Sequence, residues 1–194
     1  MRMTTTPEIN IDEEFVLKPV NRRILPEVIE AHNEDPEGTL SALPWLTQME
    51  DIHRQLADLL LELEHERDED RLHFWAIHQG KDSKFVGMIG LGDELQLAAS
   101  AYNLGYWVRS SCRRQNIANR AVDAVFDWVR EKQDQALIEI TVHPHNKAGL
   151  STCQSICDRW QGLSIDGYVG IDLNGRTVPH QLYLIQVRPS EGDR

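Results

Sequence analysis

With 194 residues, 41% of them hydrophobic and spread along the whole length, the chain can bury a core without disulfides or a structural metal; this excludes a disordered or fibrous protein and predicts one domain over residues 1–194, with its core from about Phe15 to Val187 and flexible ends. The balance of 20 Lys and Arg against 31 Asp and Glu, net −11, repels phosphate backbones and anionic bilayers, so neither nucleic acid nor a membrane is expected as main partner. Met1 to Asn10 lack the apolar segment of a secretory signal, no run approaches the ~20 apolar residues of a spanning helix, and three Cys that cannot all pair fit a reducing cytoplasm.

In chain order, Phe15, Val16 and Leu17 run into Pro19 as an edge strand, and a first helix is predicted over Arg23 to His32, ended by the turn-forming cluster Asn33 to Gly38. From Glu50 to Arg67, the residues Ile52, Leu56, Leu59, Leu60 and Leu63 recur at helical spacing with charges on the other face, and that apolar stripe needs a partner surface. His73 to Gln79 and Lys84 to Gly90 read as strands of a hairpin turning around Gly80 to Ser83. After a loop over Gly92 to Ser100, Tyr102 to Val108 is dense in aromatic and aliphatic residues and reads as a central strand ending at Arg109, Ser110 and Ser111. A helix over Asn119 to Lys132 follows, with Ala121, Val122, Val125, Phe126 and Val129 on its inner face. A strand over Ala136 to Val142, a helix from about Ala148 to Trp160 and closing strands over Ser164 to Leu173 and Gln181 to Val187 complete an α+β order without internal repeats.

Chemistry concentrates where the Leu104 to Val108 strand passes through Arg109 to Gln115 into a helix starting near Asn116 to Asn119. A helix start presents unpaired backbone N–H groups and a positive dipole end, which stabilise an anion; Arg113 and Arg114 beside it make a diphosphate a suitable guest. On residues alone, an Arg pair in a strand-loop-helix unit is as readily a solvated pair as a binding site. His143, His145, Cys153 and Cys157 do not form a metal set, since no Cys-x-x-Cys knuckle is present and the two His flank a Pro. Cys112 beside two Arg reads as a bystander thiol rather than a nucleophile.

Leu104-Gly105-Tyr106-Trp107-Val108 followed by Arg113-Arg114-Gln115-Asn116-Ile117-Ala118 resembles the acetyl-CoA motif of the GNAT superfamily, Gln/Arg-x-x-Gly-x-Gly/Ala. Further likeness is to the branch acetylating ribosomal-protein N-termini: Ala42-Leu43-Pro44-Trp45-Leu46 resembles its substrate-side segment, Asn146 its Asn-x-x-Ser element, Gly162 to Gly167 its Gly-Phe-x-x-Glu-Gly, and Asn174-Gly175 to Tyr183 its closing hairpin. The resemblance implies the GNAT fold, a mixed, mostly antiparallel sheet flanked by helices with two strands splayed to admit the pantetheine arm. It implies direct acetyl transfer from acetyl-CoA to a primary amine, foremost a protein or peptide N-terminus. Two alternatives stay open, a small-molecule amine acetyltransferase and a non-catalytic acetyl-CoA-binding module, and a homodimer is also open.

Carried over residue by residue, the resemblance implies cofactor contacts at Val108, Arg113, Arg114, Gln115, Asn116, Ile117, Ala118, Asn119 and Asn146, and a substrate contact at Trp45. The Val108 N–H takes the oxyanion role, Asp166 the base, and Tyr183 or Ser151 the acid that protonates the thiolate; no metal is implied. An Asp before Gly is as readily a turn residue, and Tyr183 reads equally as a core aromatic. Departures from the pattern are Asn116 where a Gly is usual, Gly149 in place of the Ser proposed as acid, Asp166 in place of Glu, and a longer segment between Asn146 and Gly162. Asn is the residue after Gly that best tolerates a positive φ, so it can preserve the loop if conformation is what the Gly supplies. As base, Asp166 would need partial burial.

Overall fold

The computed structural model describes residues 6–43, 46–66, 72–92, 97–132, 135–173 and 175–189. Close packing divides the chain into two compact units, residues 1–91 with 106–121 and residues 92–105 with 122–194; the strand over Tyr102–Val108 and the helix over Ile117–Lys132 each contribute to both.

The first unit begins with strands β1 (Ile9–Asn10) and β2 (Phe15–Pro19), followed by helices α1 (Leu25–Glu34), α2 (Pro36–Ala42) and α3 (Ile52–Glu66). Strands β3 (His73–Gln79) and β4 (Lys84–Gly92) form the expected hairpin. β1, β2, β3 and β4 pair in that order, all antiparallel, with Leu17 opposite Ile77 and Trp75 opposite Ile89. β2 is therefore not the edge; the two-residue β1 covers it, and so short an edge strand offers little for another chain to pair with. The partner of the α3 stripe is a cluster in which Leu56, Leu60 and Leu63 join Val20, Val28 and Ala31 from the α1 side and Ala76, Phe85, Met88 and Trp107 from the strands. Leu56 and Leu60 are 0% exposed, so truncating either to Ala would cost roughly 2–5 kcal/mol.

The turn cluster expected at Asn33 to Gly38 is instead the junction of two helices. Asp35 caps α2 by accepting from the Gly38 N–H at 3.0 Å, and Pro36 fills a first-turn position whose N–H would have no partner.

In the second unit the start of β5 (Tyr102–Val108) pairs in parallel with β6 (Ala136–Val142) through Tyr102 opposite Ile138 and Asn103 opposite Glu139, and the register ends there. β6 pairs along its length with β9 (Arg176–Val187), antiparallel from Ala136 opposite Val187 to Val142 opposite Gln181. The strand expected over Ser164 to Leu173 is two strands, β7 (Leu163–Ser164) and β8 (Val169–Leu173), each paired with β9 and separated by a bend at Gly167, whose φ is +84°. Helix α4 (Ile117–Lys132) meets α5 (Lys147–Trp160) where Phe126 packs edge-on against Trp160 and Asp123 accepts from the Trp160 indole at 2.7 Å. The architecture is the expected mixed, mostly antiparallel sheet flanked by helices.

Candidate functional site

At the end of β5 the Arg109 N–H still donates to the Val86 carbonyl of β4 at 2.9 Å, and Ser110 to Cys112 then wind a single tight turn. The chain next takes two left-handed residues, Arg114 (φ +64°) and Asn116 (φ +58°), before α4 begins at Ile117. The first helical bond closes from the Arg120 N–H to the Asn116 carbonyl at 3.1 Å, so the amides of Ile117 and Ala118 precede the intrahelical ladder. Asn116 thus adopts the conformation a Gly would supply, and its side-chain oxygen accepts from the Asn119 side-chain NH2 at 2.7 Å. Arg114, Gln115 and Asn116 are exposed. Consecutive amides at the start of a 16-residue helix, beside an exposed Arg, are a donor set suited to a diphosphate, and so fit the expected acetyl-CoA.

Arg113 is exposed and has protein partners. Its Nη1 pairs with Asp35 Oδ2 at 2.6 Å and its Nε donates to the Val108 carbonyl at 3.2 Å, so it braces the loop against Asp35 and the end of β5. A Cβ at Gly38 would lie 2.1 Å from Asp35 Oδ2 and 2.7 Å from Arg113 Nη2, which explains a Gly inside a helix there. A second brace is Arg109, buried at 6% exposure, which donates to Glu34 at 2.7 Å and Glu30 at 2.5 Å. Glu34 also accepts from the Ser111 N–H at 3.3 Å. The hydrogen bond from Arg109 is the main reason the Glu34 carboxyl is held down to about 2, and the same bond raises the Arg109 guanidinium. Asp35 is lowered chiefly by the Gly38 N–H and further by Arg113. Sequence reasoning missed this acidic collar, Glu30, Glu34 and Asp35. The acids are visible at helical spacing, but their partners lie some 75 to 79 residues further on.

Gly87 of β4 is a point of close approach, since a Cβ there would lie 2.3 Å from the Trp107 carbonyl and 3.1 Å from the Val108 Cα. It fixes the track of β5 where the Val108 N–H is expected to act. Cys112 is 3% exposed and therefore shielded, as expected of a bystander thiol.

The remaining candidates lie in the second unit. Asn146 caps α5, accepting from the Gly149 N–H at 2.9 Å. A Cβ at Gly149 would fall 2.8 Å from the Asn146 side-chain nitrogen and 2.9 Å from Val142 Cγ1, so tight capping accounts for a Gly at this position. Ser151 is exposed on α5. Tyr183 is 5% exposed, with Ile140 opposite it in β6 and Ser164 in β7. Burial raises its phenol, with Cys153 and Cys157 adding to the effect. Asp166 is exposed in the bend before Gly167, so the partial burial expected of it is missing. Trp45 and Asn174 lie outside the described residues. Among the described residues no group of His, Cys, Asp and Glu is placed to hold a metal ion, and no helix is long and apolar enough to cross a membrane.

Against this geometry, the family described as "Acetyltransferase (GNAT) domain" matches residues 14–156. A search of curated proteins found no match. Among solved structures, an acetyltransferase that modifies the N-terminal serine of 50S ribosomal subunit protein L7/L12, from Salmonella typhimurium, superposes with a TM-score of 0.70 at 16% identity, covering 92% of this chain and 98% of that one. RimL, a ribosomal L7/L12 α-N-protein acetyltransferase in complex with coenzyme A, gives 0.74 at 14% identity, covering 92% and 97%. The microcin C7 self-immunity acetyltransferase MccE, in complex with acetyl-CoA and AMP, gives 0.71 at 14% identity, covering 94% and 97%. At such identities the likeness establishes the fold.

Proposed function

The chain belongs to the GNAT acetyltransferase family, and on that premise we propose that it moves an acetyl group from acetyl-CoA to a primary amine by direct attack, the preferred acceptor being a protein or peptide N-terminus. One observation carries the reading: Asn116 holds a positive φ, and the amides of Ile117 and Ala118 come before the first helical bond, with the exposed Arg114 beside them, where a diphosphate can be received.

An amine attacks a thioester only when neutral, an α-amine has a pKa of about 7.7–8.0, and a Lys of about 10.4, so an N-terminus needs the less help. In this reading the Val108 N–H stabilises the oxyanion and Tyr183, its raised phenol protonated at working pH, gives the leaving sulfur a proton, with Ser151 as the other hydroxyl. Asp166, exposed, draws the cationic acceptor. The acidic chain, net −11, favours cationic acceptors generally. The same reading places the protein where acetyl-CoA is supplied and thiols stay reduced, in the cytoplasm.

A small-molecule amine is the second reading, supported by the likeness to MccE, as close in fold as that to the ribosomal-protein enzymes. The discriminating experiment is a panel of peptides with Ala, Ser or Met N-termini, assayed against free amino acids, polyamines and aminoglycosides. Peptide kcat/KM at least tenfold above every free amine supports the first reading; the reverse order replaces it with the second.

A further inference from the structure

Glu34 is the last residue of α1, the helix end at which the dipole disfavours a carboxylate, so something other than the helix holds its charge there. The turn that follows β5 does so. Glu34 Oε1 accepts from Arg109 Nε at 2.7 Å and from Arg109 Nη2 at 2.6 Å, while Oε2 accepts from the Ser110 hydroxyl at 3.2 Å and the Ser111 N–H at 3.3 Å. Arg109 keeps the carboxyl ionised, so both oxygens accept, and one side chain holds Arg109, Ser110 and Ser111 in a row. Glu30, one turn earlier on the same face of α1, adds a bond to Arg109 Nη2 at 2.5 Å.

The held turn lies between the two donor sets that acetyl transfer uses. On one side Val108 ends β5; its carbonyl accepts from Arg113 Nε at 3.2 Å, and the Arg109 N–H donates to the Val86 carbonyl at 2.9 Å. On the other side the Cys112 N–H closes the tight turn on the Arg109 carbonyl at 2.9 Å, and α4 then begins at Ile117. Every one of these residues belongs to the first compact unit, together with α1. The Arg109 side chain is buried, so its bonds to Glu34 and Glu30 are shielded from competing water.

We propose that Glu34 is a positioning residue of acetyl transfer: by pinning Arg109, Ser110 and Ser111 it fixes the span between the Val108 N–H, which polarises the thioester carbonyl, and the first amides of α4, which hold the diphosphate. The inference rests on the acetyl-transfer reading. Glu34 touches neither donor nor acceptor and acts through the turn. Its effect is therefore specific to a donor held at both ends. Acetyl-CoA carries thioester and diphosphate together, so a slack span sets its carbonyl away from the Val108 N–H. S-acetylpantetheine has no phosphate and settles against Val108 whatever the span.

The test compares the full-length parent, Glu34→Gln and Glu34→Asp for kcat and KM with acetyl-CoA and for kcat/KM with S-acetylpantetheine, on the best acceptor of the panel and well below each melting midpoint. In Glu34→Gln one oxygen becomes an NH2 group, a donor facing donors, so either Arg109 or the Ser110 and Ser111 side is released. Glu34→Asp keeps a charge beside the buried Arg109, which preserves the fold, but is one methylene too short to reach both sides. Expected in each variant is a fall in kcat with acetyl-CoA on the order of tenfold, with KM for acetyl-CoA and kcat/KM for S-acetylpantetheine both within about twofold of the parent. A loss carried by KM for acetyl-CoA, equal fractional losses on the two donors, or unchanged kcat in both variants overturns the proposal and leaves acetyl transfer by the parent intact. A parent protein that binds no acetyl-CoA and acetylates no amine overturns both.

Discussion

Asp35 and Arg113 are joined by a 2.6 Å ion pair whose acidic partner also caps α2 through Gly38, so one carboxylate ties the loop before α4 to the segment leading toward residue 46. Asp35→Ala should lose both interactions, about 1 kcal/mol for the cap and up to about 1 for a half-exposed pair; Asp35→Asn keeps an accepting oxygen for the cap and should lose less than half as much. With the charge removed and Arg113 released toward the loop, acetyl-CoA should bind Asp35→Asn more tightly than the parent. Urea unfolding and calorimetry on the two variants check this, and weaker cofactor binding in Asp35→Asn would show that Arg113 serves the loop only as a brace.

Glu34 makes the fold sensitive to acid. Its folded pKa of about 2 lies below the ordinary 4.5, because Arg109 donates to the ionised form; a depressed carboxylate contributes its full stabilisation above the ordinary value and loses it as pH falls toward about 2. The urea midpoint should decline between pH 5 and pH 2, and Glu34→Gln should be less stable at pH 6 yet flatter across that window. A decline as steep as the parent's would place the acid sensitivity in other carboxylates.

Asn116 occupies left-handed space at φ +58°, so substitutions there should follow backbone cost rather than side-chain size. Asn116→Gly should change stability by no more than about 1 kcal/mol and keep acetyl-CoA affinity, whereas the β-branched Asn116→Val should cost about 1–2 kcal/mol and weaken binding. Thermal melts with and without acetyl-CoA distinguish these; equal behaviour of Gly and Val would mean that the loop does not depend on this φ.

Gly87 gives mutational access to a backbone donor that has no side chain to change. In Gly87→Ala the new Cβ must displace the Trp107 carbonyl, which it would otherwise meet at 2.3 Å, at a stability cost of about 1–3 kcal/mol. If the Val108 N–H stabilises the oxyanion, kcat should drop on the order of tenfold or more while acetyl-CoA affinity changes little. A variant that folds and keeps its kcat would remove Val108 from that role.

Much of the fold was legible because strands and helices here carry clean periodicities: Tyr102 to Val108 and Ala136 to Val142 fall where branched and aromatic runs place them, and the α3 stripe meets a real partner. Helix α2 is not legible although Asp35-Pro36 carries a cap and first-turn Pro; over seven residues such signals look like a turn, and tertiary contacts decide. The strand expected over Ser164 to Leu173 breaks where Gly167 needs a positive φ. Within the site, the left-handed Asn116 could be read from the tolerance of Asn, but the diversion of Arg113 to Asp35 could not, because it joins residues 78 apart in sequence. The contact of His143 with His180 is made through the β6 to β9 register, which local pattern does not encode.

Acetyl transfer by this chain requires that the loop over Arg113 to Asn119 grip the diphosphate of acetyl-CoA. The most direct measurement compares thermal shifts of the full-length protein with saturating acetyl-CoA and with S-acetylpantetheine, which carries the thioester arm but no phosphate, in the parent and in Arg114→Ala. The expected result is a clear rise in Tm with acetyl-CoA, about 2.7 kcal/mol of stabilisation at a hundred times Kd, a much smaller rise with S-acetylpantetheine, and a reduced acetyl-CoA shift in Arg114→Ala. No shift with acetyl-CoA, or equal shifts with the two ligands, would contradict it.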